Sequence, residues 1–350
     1  MEEEDIVQIK DLYLNFYTYD GVVKALDGVS FGIKKGEILG LVGETGSGKS
    51  VTSLSVLSIF VPPGRLQKGQ IDINIKGKTY DILSLNDATL ARVRGKYVSM
   101  IFQEPRAALN PVYTVGDQIS EVYFHHRKAE LVDNTVAQLR EDLKKASGLR
   151  RMIYKADLSL LEKMKNNPKS VSLRLSMKIP LLRRFQNRMK TEARKMIVQI
   201  LKSLNIPDPT RVIDMYPHEL SGGMAQRAVI AMSLACNPMM LIADEPTTSL
   251  DVTVQAQILL LIKDLQKKFH TSILYVTHDL GVVAETCDRV VVLYAGNVAE
   301  IANVFDLFKK PLHPYTQALL ESIPRPGQKF VSIRGTVPSL VDPPKGCRFC

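Results

Sequence analysis

No window of the 350-residue chain approaches the roughly 18–20 uninterrupted apolar residues that a membrane-spanning helix requires. The first residues, Met1-Glu2-Glu3-Glu4-Asp5, are acidic and no apolar segment stands behind them, so a secretory signal is not expected either. Both absences predict a protein of the cytoplasmic side. Cysteine is scarce, with four in all, which excludes a disulfide-stapled scaffold. Cys236 and Cys287 lie in apolar-rich segments and are expected as reduced core residues, whereas Cys347 and Cys350 close the chain as C-x-x-C. No internal repeat is present, and the motifs below each occur once.

Negative charge is lacking in one stretch above all. The chain carries a formal net charge of +10, yet His126 to Lys195 alone holds 19 Lys and Arg against 7 Asp and Glu. That excess of 12 leaves the remainder close to neutral. Basicity therefore belongs to a segment, which weakens a nucleic-acid reading of the high isoelectric point. The segment also lacks interleaved aromatics on which bases could stack, Tyr154 and Phe185 being nearly alone.

What is present is the patterning of an α/β protein. Ile6–Leu14, Ala25–Ile33, Gln70–Ile75 and Tyr97–Phe102 read as strands, and Ile38–Val42 is a short apolar run suited to burial on both faces of a sheet. From about Glu104 to Leu220 the spacing turns helical, broken near its end by Pro207-Asp208-Pro209. Three apolar runs follow, Met239–Ala243, Ile273–Val276 and Val290–Leu293, separated by helical stretches as a parallel sheet demands. The Pro/Gly-rich tail from Pro324 reads as an extended appendage.

Directly after the Ile38–Val42 run stands Gly43-Glu44-Thr45-Gly46-Ser47-Gly48-Lys49-Ser50, with Val51 opening the next helix. The pattern is that of a phosphate loop. Its glycines let successive N–H groups converge on phosphate oxygens, and the following helix adds its positive end. Lys49 is placed to reach the β- and γ-phosphates and the Ser50 hydroxyl to ligate Mg²⁺. The strand Met239–Ala243 runs into Asp244-Glu245, two acids that a buried strand would not end on without partners. Asp244 is the expected Mg²⁺ carboxylate, acting through water. Glu245 is the candidate general base for the attacking water.

Leu220-Ser221-Gly222-Gly223-Met224, followed by Gln226-Arg227, resembles the signature motif LSGGQ of ABC ATPases, with Met224 departing from the commonest glutamine. Gln103 in Phe102-Gln103-Glu104-Pro105 is similar to the family's Q-loop glutamine, which senses metal and water. Ser249-Leu250-Asp251 resembles the D-loop, and His278 in Val276-Thr277-His278-Asp279 the switch histidine at the γ-phosphate. The resemblance implies a P-loop NTPase of the ABC ATPase type: a RecA-like core, an antiparallel β-subdomain, a helical subdomain and a C-terminal extension. Residues 1–300 are then the nucleotide-binding domain, with the helical subdomain at about 104–220, and 301–350 the extension. It also implies an aromatic stacked on adenine, for which Phe16 sits best by spacing among Phe16, Tyr17 and Tyr19. Ser221, Gly222, Gly223 and Asp251 would serve an ATP sandwiched between two subunits.

His313-Pro314-Tyr315-Thr316 and the later Gly335-Thr336-Val337-Pro338-Ser339-Leu340 resemble the extension of the oligopeptide/dipeptide importer ATPases. That branch implies a second, paralogous ATPase subunit, two membrane permease subunits, an extracellular binding protein and a peripheral site on the inner face of the membrane. Its relatives include oligosaccharide and nickel carriers, and no residue here touches the cargo. A non-transport ABC ATPase is disfavoured, since neither a second cassette nor long heptad coils occur. Some members hold a 4Fe–4S cluster at C-terminal cysteines. Cys347 and Cys350 alone do not complete a four-thiolate site, so a cluster is not expected. Against relatives, about 127–190 is an insertion. It reads as amphipathic helices, with apolar spacing at Leu131, Val132, Val136, Leu139 and Leu143 and a second basic stretch at Leu181–Lys190 ahead of a helix at Thr191–Leu204. Two readings are open: a solvated helical hairpin, or contact with the anionic membrane leaflet.

Overall fold

The computed structural model describes residues 5–166, 184–248, 250–323, 333, 336–344 and 346–349. The chain divides into two compact units: Met1–Glu104 with Asn237–Cys350, and Pro105–Cys236.

The first unit is built on two sheets. Strands β1 (Asp5–Thr18), β2 (Gly21–Lys34), β4 (Gly64–Ile75) and β5 (Lys78–Asp81) form an antiparallel sheet in the order β2-β1-β4-β5. The other sheet has six strands, β3 (Ile38–Val42), β6 (Val98–Ile101), β7 (Met240–Asp244), β8 (Ser272–Thr277), β9 (Arg289–Tyr294) and β10 (Asn297–Asn303), in the order β10-β9-β3-β8-β7-β6. Its members run parallel except β10, which pairs antiparallel with β9. Strands β3, β6, β7 and β8 are buried at every residue. Their apolar runs lacked the in–out alternation of a half-exposed sheet for that reason. Ile9, Leu14, Phe31 and Ile73 of the first sheet pack with Leu39, Met240 and Leu274 of the second in one core.

Strand β1 outruns the expected Ile6–Leu14. It continues to Thr18 because β2 pairs with it back to the turn at Tyr19-Asp20, which sets Phe16 opposite Val23 and, on the other side, opposite Gly64. A side chain at Gly64 would meet the Phe16 ring at 2.9 Å. Glycine there leaves the ring its place.

The second unit is helical, with its own core. Thr114 caps Val115–His126 by accepting the Asp117 N–H at 3.1 Å. Helices Lys128–Lys145, Gly148–Asn166 and Arg184–Ser203 bury Leu131, Val132, Val136, Leu139, Leu161, Met164, Phe185, Met189 and Ala193 against one another. The predicted amphipathic spacing is borne out there, although Leu143 is only half-buried. The expectation of a basic stretch preceding a separate helix at Thr191 is corrected. From Arg184 onward the two are one helix, because Phe185, Met189, Ala193, Ile197 and Leu201 repeat every fourth residue along its buried face. Leu181 lies outside the described residues.

Cys236 and Cys287 are half-buried rather than fully enclosed, and neither they nor Cys347 forms a disulfide. Burial pushes the Cys287 thiol up to about 12, so it stays protonated at neutral pH. The tail beyond Pro324 is less of an appendage than expected. Its described stretches have no helix or strand, yet the Leu340 carbonyl accepts the Lys24 N–H at 2.8 Å and the Arg348 guanidinium bonds the Asp27 carboxylate and the Ala295 carbonyl.

Candidate nucleotide site

Five parallel strands leave a crevice beyond their carboxyl ends, where chain connections depart in opposite directions. Strand β3 delivers the glycine-rich loop to that edge, flanked by β8 and β9. Gly43 has φ +153° and a side chain there would strike the Leu293 carbonyl oxygen at 2.1 Å, so only glycine lets the loop leave the sheet this closely. Gly48, at φ +105°, precedes the helix Lys49–Val56 and lies against Leu26 and the Ala25 carbonyl.

Lys49 is buried and its ammonium donates to the carbonyls of Gly43 at 2.7 Å and Glu44 at 2.9 Å. Burial lowers its pKa, while the charges of Glu245, Asp244 and Glu44 oppose the shift. The Ser47 hydroxyl is buried in the same loop without a hydrogen-bond partner. An unpaired buried donor costs about 1–3 kcal/mol, and an anion wrapped by the loop would remove that cost. The Glu44 N–H donates to the Tyr315 hydroxyl at 3.1 Å.

Strand β7 ends on Asp244, which is nearly enclosed. Desolvation raises its pKa, the neighbouring Glu245 adds to that, and the Ser50 hydroxyl and Lys49 pull the other way. Glu245 then turns out of the strand at φ +44°, a left-handed conformation uncommon for a side-chain-bearing residue. Its N–H is bonded to the Val276 carbonyl at 2.9 Å. Three side chains fix its carboxylate: His278 Nδ1 lies 2.8 Å from Oε1, and Gln103 Nε2 and Thr248 Oγ1 each donate to Oε2 at 3.0 Å. Burial alone would raise the Glu245 pKa, but the hydrogen bonds from His278 and Thr248 outweigh it and hold the group below the ordinary glutamate value.

Lys49, Glu245 and the partners of its carboxylate face one open cavity of about 620 Å³, while Asp244 stands behind its lining, bonded to Ser50. Thr45, Gly46, Gly48, Lys49, Ser50 and Val51 line it from the loop and helix, Gln103, Glu245, Thr248 and His278 from the strand ends, and Phe16, Val23, Ala25 and Leu340 from another side. Gly43, Glu44 and Ser47 build the loop without lining the cavity. Among the aromatics considered for a base platform, Phe16 lines the cavity. Tyr17 instead lies under the Arg65 guanidinium at 5.1 Å, and Tyr19 is fully exposed.

The family follows from matches that cover the glycine-rich loop, Gln103, Asp244-Glu245 and the C-terminal segment. Residues 26–248 match the ABC transporter family, and residues 299–350 match the oligopeptide/dipeptide transporter C-terminal region. The chain belongs to the ABC transporter family. It is 42% identical to the oligopeptide transport ATP-binding protein OppD of Bacillus subtilis, over 98% of this chain and 80% of that protein. It is 41% identical to the dipeptide transport ATP-binding protein DppD of the same organism, over 99% and 86%. The fold is shared with the ATP-binding cassette MJ0796, solved as a dimer in a post-hydrolysis state bound to ADP and Pi. That likeness has a TM-score of 0.55 at 22% identity and covers 85% of this chain and 98% of that one.

Not every predicted site residue meets in this cavity. Ser221, Gly222 and Gly223 belong to the second unit, where Ser221 caps the helix Gly222–Leu234 by accepting the Met224 N–H at 3.3 Å. Asp251 caps Val252–Phe269 through the Val254 N–H at 2.9 Å, and Ser249 lies outside the described residues. Thr248 and Val23 carry no signal in the sequence, Ala25 enters there only as the start of a strand, and Leu340 only within a family segment. Tyr315 was noticed only as part of a family segment, with nothing to say that its hydroxyl reaches the loop.

Proposed function

We propose that this chain is the ATP-hydrolysing subunit of an importer of oligopeptides or dipeptides. The observation that carries the reading is the carboxylate of Glu245, held by three side chains in the cavity that also receives Lys49 and Ser50. Lys49 releases its loop carbonyls to the β- and γ-phosphates, and the loop's N–H groups hold the remaining oxygens. Glu245 orients water in line with the γ-phosphorus and accepts its proton as the new P–O bond forms and the bond to the β–γ bridging oxygen breaks, leaving ADP and inorganic phosphate. Its low pKa keeps it ionised at neutral pH; phosphoryl transfer asks more for position than for a strong base. Gln103 and His278 keep that carboxylate aimed.

Ser50, Gln103 and Asp244 offer the oxygen donors that Mg²⁺ takes, and the Ser50–Asp244 hydrogen bond places two of them together. The bound ion would offset negative charge on the phosphates. An iron–sulfur cluster takes four thiolates, and Cys347 with Cys350 supplies two, so no cluster enters this reading.

Ser221, Gly222, Gly223 and Asp251 act on the nucleotide of a second cassette, a paralogue of this chain, which makes the working unit a dimer. Two permease subunits and an extracellular binding protein complete the transporter, and the chain sits at the cytoplasmic face of the membrane. The peptide cargo rests on the relatives named for oligopeptide and dipeptide transport and on the matched C-terminal region. Mass spectrometry of small molecules retained by the complex purified through this subunit tests it. Bound peptides are expected; a bound oligosaccharide would move the cargo, and a complex without permeases would remove the transport role.

A further inference from the structure

We infer that Leu340, delivered by the C-terminal extension, contacts the base and ribose of the nucleotide and so makes the extension part of the ATP site. The inference rests on the ATP reading above and names a residue that reading does not use. The cavity has two chemically distinct ends. Lys49, Ser50, Gln103, Glu245 and His278 are polar and collect phosphate, metal and water. Phe16, Val23, Ala25 and Leu340 are apolar, and a nucleotide whose phosphates lie at Lys49 has only its base and sugar to present to them. Leu340 belongs to that end by its backbone: its carbonyl accepts the Lys24 N–H at 2.8 Å, between Val23 and Ala25. Val23 in turn is the strand partner of Phe16.

The segment that follows Leu340 is held there as well. Next to it, Val341 fills the space where a side chain at Gly21 would stand, 2.7 Å from its Cγ1. Further on, the largely buried Arg348 bonds Asp27 and the Ala295 carbonyl, and the Phe349 ring packs edge-on to Tyr294 and Tyr315 at centroid distances of 5.4 and 5.5 Å. Leu340 itself stays half-buried, leaving part of its surface for a ligand. A leucine carried in by the tail makes nucleotide affinity depend on the tail being docked.

The test compares ATP with tripolyphosphate, which has the phosphates but neither base nor sugar, by titration calorimetry on the full chain. Leu340→Ala should weaken ATP about five- to twentyfold, the worth of one partly buried aliphatic side chain, and leave tripolyphosphate unchanged. Unchanged ATP affinity, or equal losses for both ligands, would overturn the inference. Failure of the wild type to bind either ligand would instead overturn the ATP reading. The chain has no tryptophan, so Leu340→Trp supplies a lone reporter. Its emission should shift with ATP and stay constant with tripolyphosphate; an emission blind to ATP would sink the proposal independently.

Discussion

The Tyr315 hydroxyl accepts the backbone N–H of Glu44 from 271 positions away, tying the helix Pro314–Glu321 to the phosphate loop. Tyr315 is fully buried, and burial pushes its pKa well above the usual tyrosine value, so the hydroxyl stays neutral. Tyr315→Phe keeps the ring against Tyr294 and Phe349 but removes the acceptor. The expected cost is about 1 kcal/mol, felt locally as roughly fivefold faster amide exchange at Glu44 to Gly46. Tyr315→Ala, which also empties the ring's space, should cost about 3–5 kcal/mol. Exchange in the loop unaltered by Tyr315→Phe would show that the bond holds nothing in place.

Glu245 provides the sharpest separation of binding from turnover. Glu245→Gln preserves size and can still bond Gln103 and Thr248, but it cannot take a proton. Phosphate release should fall by about 10²-fold or more while ATP affinity is retained, and the variant should accumulate as a closed, ATP-bound dimer. Steady-state phosphate assays and sizing with and without ATP read both effects. Hydrolysis at the wild-type rate would remove Glu245 from its role.

How much of this could be read from sequence differs between the two ends of the cavity. The phosphate end could be read because its parts are consecutive: Gly43 through Ser50 is one loop after one apolar run, and Asp244-Glu245 ends another. The apolar end is assembled from β1, β2 and the tail. Phe16, Val23 and Leu340 become neighbours only through the β1–β2 register and the Lys24–Leu340 hydrogen bond, neither of which leaves a local pattern. Thr248 escaped notice because a threonine in a loop is common, and its value lies in one distance to Glu245. The start of the helix Arg184–Ser203 was missed for another reason. Its exposed face is so basic that Phe185 and Met189 did not stand out as the continuation of a buried stripe.

The helical unit contains an ion pair whose two ends differ in burial. Asp157 is almost enclosed, and Arg188 bonds it through Nε at 2.8 Å while stacking over the Tyr154 ring at 4.3 Å. Removing only the cation leaves a buried carboxylate uncompensated, so Arg188→Met should destabilise the three helices by about 3–5 kcal/mol. Replacing both partners, with Asp157→Leu added, should restore most of the loss. Hydrogen exchange across Lys128–Lys145 and Gly148–Asn166 is the readout. A double variant no better than Arg188→Met would mean that the guanidinium's packing on Tyr154, and not its charge, is what the site needs.

The same unit discriminates the two readings of the basic segment. At the start of the helix Gly148–Asn166, Leu149 and Met152 stand 73% and 70% exposed beside exposed Arg150, Arg151 and Lys155. Apolar side chains interleaved with cations suit the boundary of an anionic bilayer, where each cation contributes about 1 kcal/mol and the attraction decays within a Debye length. Flotation with phosphatidylserine vesicles should therefore show binding that 1 M salt reverses, about 3 Å of screening length leaving little of the field. Arg150→Glu with Arg151→Glu should lower partitioning by about a hundredfold or more, since both attractions become repulsions. Binding to neutral vesicles alone, or flotation indifferent to salt and to both charge reversals, would leave these helices as a solvated insertion with no membrane role.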